Sequence, residues 1–289
     1  MTMNNKIAVV AGATRGAGRA MAVKLGEAGA VVYVTGRTTR EAQSPMGRKE
    51  TIEESAELVT KAGGTGIPVK VDHTKEEDVQ KLFQKIEEEQ DGKLDILVND
   101  IWGGDPLTEW GKDIAEHDMN KGLQLLNQAV QAHIITAHHA VPLMKKNRSG
   151  LIVEITDGTD YNYRGSFYYS LAKVSNIHMA AAMAEDLKAF GITTVSLTPG
   201  FLRSEAMLEH FGVTEENWRE GAEVDPHFIA SESPAYIGEA LKNLVLDPDA
   251  ARFNGQALST WGLSDVYGFK DADGTQPHWG RHFEKYVKE

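Results

Sequence analysis

Cysteine is absent from the chain, which excludes disulfides, thiolate nucleophiles and cysteine-based metal sites. Long apolar runs are absent too: no stretch approaches the roughly 20 residues that a membrane span requires. Positive charge is in deficit. With 30 Lys and Arg against 42 Asp and Glu, the formal net charge is −12. That balance argues against a nucleic-acid backbone or an anionic membrane as a general partner. No internal repeat or low-complexity tract interrupts the sequence, and Glu87-Glu88-Glu89 reads as the solvated end of a helix. Met1 to Lys6 runs directly into an apolar strand-like stretch without signal-peptide architecture, so the expected location is the cytoplasm.

What is present is an alternation. The 289 residues suit one large α/β domain with insertions. Strand candidates lie at Ile7 to Ala11, Val31 to Thr35, Ile67 to Val71, Leu94 to Val98, Leu151 to Ile155, Thr193 to Leu197 and Gln256 to Ser259. Helical patterns separate them, the first two at about Gly16 to Ala28 and Glu50 to Ala62. Short β-branched runs between helices predict parallel βαβ units in a doubly wound sheet. Such a sheet is covered on both faces, so its strands are expected to be apolar throughout.

The first strand candidate leads into Gly12-Ala13-Thr14-Arg15-Gly16-Ala17-Gly18, which opens a helix. Glycines permit a tight turn and close backbone approach, and a helix N-terminus offers free N–H groups and a positive dipole end to a pyrophosphate. The second strand lacks the acidic residue that would read the 2′-hydroxyl of NAD. It ends instead in Thr35-Gly36-Arg37. Arg37 and Arg15 offer planar guanidinium groups suited to a phosphate, and Arg40, Arg48 and Lys49 extend a local basic cluster. The expected cofactor is therefore NADP(H), with NAD(H) as the other possibility and the 2′-phosphate against Arg15 and Arg37.

Tyr169 and Lys173 stand one helical turn apart in Tyr169-Ser170-Leu171-Ala172-Lys173. Residues four apart share a helix face. An ammonium near a phenol favours the phenolate, and such a pair can exchange a proton with a substrate oxygen near neutral pH.

Together these residues resemble the short-chain dehydrogenase/reductase family over roughly residues 5 to 260. Gly12…Gly16-Ala17-Gly18 is similar to its cofactor turn, and Asp72 stands where the family contacts adenine. Leu97-Val98-Asn99-Asp100 resembles the start of its Asn-Asn-Ala-Gly segment, with Asn99 in first place. Tyr169 and Lys173 match its catalytic pair, and Pro199-Gly200 with Ser204 its nicotinamide-side Pro-Gly-x-x-x-Thr turn. The resemblance implies a Rossmann-type fold and hydride transfer between nicotinamide and a carbonyl or alcohol carbon of a small molecule. Tyr169 would be proton donor or acceptor; Lys173 would hold the ribose and lower the phenol's pKa. The family is often dimeric or tetrameric, and helices around 120–146 and 167–189 resemble its interface. It commonly builds a substrate lid where residues 201–233 carry Met207, Leu208, His210, Phe211 and Trp218. Residues 261–289 form a C-terminal extension whose Tyr267, Phe269, Trp279, Phe283 and Tyr286 are too dense in aromatics for a disordered end. It is expected to dock near the pocket or on a neighbouring subunit.

Two departures from the family stand out. The position of its usual serine falls at Asp157, while the adjacent Thr156 offers the easier hydroxyl chemistry. Both remain candidates for the role. The asparagine that many members use to anchor a relay water is Ala129 here, with Asn127 two residues away on another helix face. His133, His138 and His139 have no acidic partners in a metal-binding spacing, and no metal is expected. Trp102, Gly103 and Gly104 replace the usual small loop and would narrow the pocket. A second class of function stays open: a sensor or scaffold that kept the fold and lost turnover. A methyltransferase on a related sheet would not require the Tyr/Lys pair.

Overall fold

The computed structural model describes residues 3, 6–44 and 46–287; residue 5, the expected start of the core, and the end of the extension at 288–289 lie outside them. The strands are β1 (Ile7–Ala11), β2 (Val31–Gly36), β3 (Thr65–Lys70), β4 (Ile96–Asn99), β5 (Gly150–Ile155), β6 (Ile192–Thr198) and β7 (Ala257–Ser259). They form one sheet in the order β3-β2-β1-β4-β5-β6-β7, with every pairing parallel. Seven strands were expected, and among the described residues seven occur, within about two residues of the expected ends.

Strand periodicity assigns the two faces. In β1, Ala8 and Val10 enter one buried cluster, while Ile7 and Val9 enter the other, as successive side chains must in a strand. The first cluster is closed by α1 (Gly16–Glu27), α2 (Ile52–Lys61), α8 (Pro234–Leu246) and α9 (Thr260–Tyr267) through residues such as Met21, Leu25, Val59, Leu241 and Leu263. On the opposite face, α3 (Glu76–Glu89), α5 (Ala132–Asn147) and α6 (Phe167–Leu187) contribute Leu82, Phe83, Leu143 and Leu187. The expectation of wholly apolar strands fails at β3, whose residues alternate in exposure. As an edge strand it is covered less, and it tolerates Pro68, which cannot donate a ladder hydrogen bond.

Helix ends show which termini are closed. Thr51 and Glu54 form a reciprocal capping box on α2, and Ser233 caps α8 ahead of Pro234. By contrast, α1 has no side-chain cap from Arg15 and no acidic residue in its first turn. Its N–H groups are left for a partner distant in sequence.

The helix expected before Val141 is broken by geometry: α4 (Met119–Leu126) continues through a π turn, Asn127–Gln131, into α5. The extra residue in such a turn rotates the side chains that follow. Past β6, α7 (Glu205–Phe211) begins the segment leading to α8, and α10 (Trp279–Tyr286) ends the described chain. The extension docks on its own chain. Trp279 packs edge-on to Phe201, ring centroids 5.7 Å apart, and Phe269 against Tyr236 at 5.0 Å.

Candidate functional site

A cavity of about 820 Å³ opens beyond the carboxyl ends of the central strands. The strand order reverses between β1 and β4, the position where open α/β sheets form a binding crevice. Gly12, Thr14, Arg15, Gly16 and Ala17 line one side. Gly12 sits at φ +89°, and a Cβ there would overlap the Asp100 carbonyl oxygen, so this turn admits only glycine. Gly18 is set behind it, against the Asp100 carboxyl.

Tyr169 and Lys173 occupy the first two turns of α6 and both line the cavity. The Lys173 Nζ lies 4.1 Å from the Trp102 ring centroid and 5.6 Å from that of Tyr169. Trp102 meets Tyr169 edge-on at 5.6 Å, and Trp110 packs on it at 5.1 Å. The Tyr169 hydroxyl donates to Asp157 Oδ2 at 2.8 Å. The sequence led us to expect a phenol acidified by its lysine. Here burial, then the Asp157 charge and hydrogen bond, push the phenol well above its ordinary value. Burial also lowers Lys173, against the neighbouring Asp157, Asp100 and Asp105 charges. Thr156 also lines the cavity, but its hydroxyl is engaged: it donates to the Lys173 carbonyl at 2.6 Å and steadies α6. Asp157, at the expected position, is therefore the group beside the phenol.

The cofactor-side expectations divide similarly. Arg15, Arg37, Asp72, Pro199, Gly200 and Ser204 all line the cavity. Arg15 approaches Asp105 at 3.7 Å, and Arg37 forms no ion pair among the described residues. Asp72 accepts from the Thr74 amide and hydroxyl at 3.2 and 2.7 Å. Asn99 does not face the cavity. It is buried at the end of β4 and donates to Glu154 at 2.7 Å. Arg40 pairs with Glu57 at the exposed surface, whereas Arg48 lines the cavity and bridges Glu50 and Glu209 at 2.9 and 2.5 Å. The glycine turn, the N-terminus of α1 and two guanidinium groups fit an anionic dinucleotide.

Several groups escaped the sequence reading. Glu205, at the start of α7, accepts from the Gly16 amide at 3.0 and 3.2 Å. The π turn carries Gln128 to the cavity wall while Ala129 packs in the core. Gly103 makes room for it, since a Cβ would overlap Gln128 Oε1. Arg164 fastens the loop before α6 by donating to the Asp157, Asp160 and Asn162 carbonyls, each at 2.6 Å. Beneath the floor, His133 Nδ1 lies 2.6 Å from Glu154 Oε2 and Nε2 lies 2.9 Å from the Ile101 carbonyl oxygen. The Ile101 carbonyl can only accept, so Nε2 is the donor in that contact. His133 thus ties α5 to the segment just before Trp102. Long separations in sequence hid these pairs, and a uniform helical repeat hid Gln128.

A parallel sheet with this switch point, glycine turn and Tyr/Lys pair defines a dinucleotide-binding oxidoreductase class. The family profile described as short chain dehydrogenase matches residues 6–212. Dehydrogenase/reductase SDR family member 1 from Mus musculus is 30% identical over 276 residues, covering 94% of this chain and 85% of that protein; its Homo sapiens counterpart matches equally. A crystal structure of a short chain dehydrogenase from Mycobacterium thermoresistibile superposes with a TM-score of 0.79 at 21% identity, covering 96% of this chain and 93% of the other. The chain belongs to the short-chain dehydrogenase family. It is an oxidoreductase of CH–OH and C=O groups in small molecules, in a family that uses NAD or NADP. Among the described residues, no helix is long and apolar enough to cross a membrane.

Proposed function

We propose that the protein is an NADP-dependent oxidoreductase that reduces a carbonyl, or oxidises the matching secondary alcohol, with Tyr169 as acid/base and Lys173 as its partner. The observation that carries this reading is that both side chains line the cavity that receives the Gly12–Gly18 turn. When bound, the nicotinamide supplies or accepts the hydride. The chain's own residues do the rest. Tyr169, whose hydroxyl donates to Asp157 at 2.8 Å, is the group that exchanges a proton with the substrate oxygen. Lys173 is the residue to hold the ribose, Asp72 the adenine end, and Pro199, Gly200 and Ser204 the nicotinamide side. Arg15 and Arg37 are suited to the 2′-phosphate. Asn99 and Thr156 act through the backbone they fix. Residues 201–233 serve as a lid whose α7 side chains, Met207 and His210 among them, border the cavity and keep water from the reacting centre.

The exposed Met119, Leu123, Ile134 and Leu171 of α4 to α6 support a homodimer or homotetramer through these helices. A second reading, a sensor with impaired turnover, is favoured only by the engagement of the Tyr169 hydroxyl with Asp157.

The test combines binding and turnover. NADPH should bind more tightly than NADH, and Arg37→Ala should cost NADPH about 1.5–3 kcal/mol, the range for hydrogen bonds to charged groups, while NADH changes little. Equal affinities in the wild type would remove the NADP assignment. Tyr169→Phe should abolish NADPH oxidation across a panel of carbonyl compounds while leaving cofactor binding intact. Binding without turnover on any carbonyl would instead support the sensor.

A further inference from the structure

Resting on the reductase reading above, we propose that Asp157 makes the enzyme selective for carbonyl compounds bearing a hydrogen-bond donor, a hydroxyl or a protonated amine, on the carbon next to the carbonyl. Tyr169 has one phenolic proton, and Asp157 Oδ2 receives it at 2.8 Å. Asp157 is in no ion pair among the described residues. Arg164 binds its backbone carbonyl rather than its carboxylate. Around the Tyr169 ring stand Trp102 and Trp110, and the Lys173 ammonium lies over the Trp102 ring.

A plain ketone offers only an acceptor. To draw the Tyr169 proton it must take that donor from Asp157 and leave the partly buried carboxylate without its side-chain hydrogen bond, a loss that weighs more for a charged acceptor than for a neutral one. A neighbouring O–H or N–H on the substrate replaces that donor as Tyr169 turns to the carbonyl oxygen. Oxygens on adjacent carbons stand about a hydrogen-bond length apart, which matches the spacing of the phenol and carboxylate oxygens. Asp105 adds a second acceptor on the same wall, held by the Trp102 indole N–H at 2.5 Å and half-exposed to the cavity. In the reaction, the carbonyl carbon gains a hydride with both electrons from reduced nicotinamide, which is thereby oxidised. The carbonyl oxygen takes the Tyr169 proton and becomes a hydroxyl, and Tyr169 regains a proton from solvent.

The experiment compares 1-hydroxy-2-butanone with 2-butanone as substrates for NADPH oxidation, in the wild type and in Asp157→Ser. The wild type should favour the hydroxy ketone by roughly 10-fold or more in kcat/KM, because sites built to bond a hydroxyl reject analogues that lack it. Asp157→Ser should erase that preference, raising KM for the hydroxy ketone and kcat for the plain one. Calorimetry supplies a readout apart from turnover: 1,2-butanediol should bind the wild type with NADP+ present, and bind at least several-fold more weakly to Asp157→Ser. Asp157→Asn, which preserves shape, guards against misfolding and should show the same loss for a protonated 2-amino ketone. Equal kcat/KM for both ketones and unchanged diol binding would overturn the selectivity while leaving the reductase reading intact. Absence of turnover with every carbonyl would instead sink the reductase reading itself.

Discussion

The Glu205 carboxylate closes the N-terminus of α1 by accepting from the Gly16 amide at 3.0 and 3.2 Å, across a sequence separation of 189 residues. One turn further along α7, Glu209 holds Arg48. Two acidic side chains of one short helix thus grip two parts of the dinucleotide groove, and each occupies a group suited to a phosphate.

An anion arriving at the end of α1 must displace or share with Glu205. Glu205→Gln removes the competing charge, and charge–dipole interactions at helix ends are worth about 0.3–1 kcal/mol. NADPH affinity, measured by nicotinamide fluorescence, should therefore rise by about two- to fivefold. A weaker complex would mean that Glu205 orders the site rather than blocking it.

Two carboxyls, Glu232 buried and Asp100 partly buried at the cavity wall, should make the fold lose stability as pH rises. Burial pushes Asp100 from 3.8 up to about 7 and Glu232 from 4.5 up to about 8. Each holds a proton in the folded chain that the unfolded chain has already released, so stability falls with rising pH. The window runs from the unfolded values to about 7 for Asp100 and about 8 for Glu232. Melting temperature should decline across it. Asp100→Asn with Glu232→Gln should flatten that decline, and a double variant with the wild-type slope would refute the assignment.

The buried His133–Glu154 contact should be costly to break from one side. His133→Leu leaves Glu154 buried with only Asn99 for a partner, and such losses typically amount to about 3–5 kcal/mol. Replacing both residues with leucine should cost much less. Urea denaturation of the two single variants and the double variant yields the coupling, and additive effects would argue against a pair.

The sequence by itself determined the sheet, the glycine turn, and the placing of Tyr169 and Lys173 on one helix face. These follow from contiguous patterns: β-branched runs, a strand–turn–helix junction and a four-residue spacing, each fixed by local backbone geometry. Its expectation for the phenol went the other way. The spacing to Lys173 could be read along the chain, but the burial and the Asp157 carboxylate that dominate Tyr169 depend on how β5 meets α6. Tertiary structure alone put the Asp157 carboxylate beside the phenol, engaged the Thr156 hydroxyl with the Lys173 carbonyl and set Asn99 beneath the site. It also turned Gln128 inward at a π turn and brought Glu205 to Gly16. Hydrogen bonds and charges act over a few ångströms, and no local periodicity records which distant residues the fold will bring within that range.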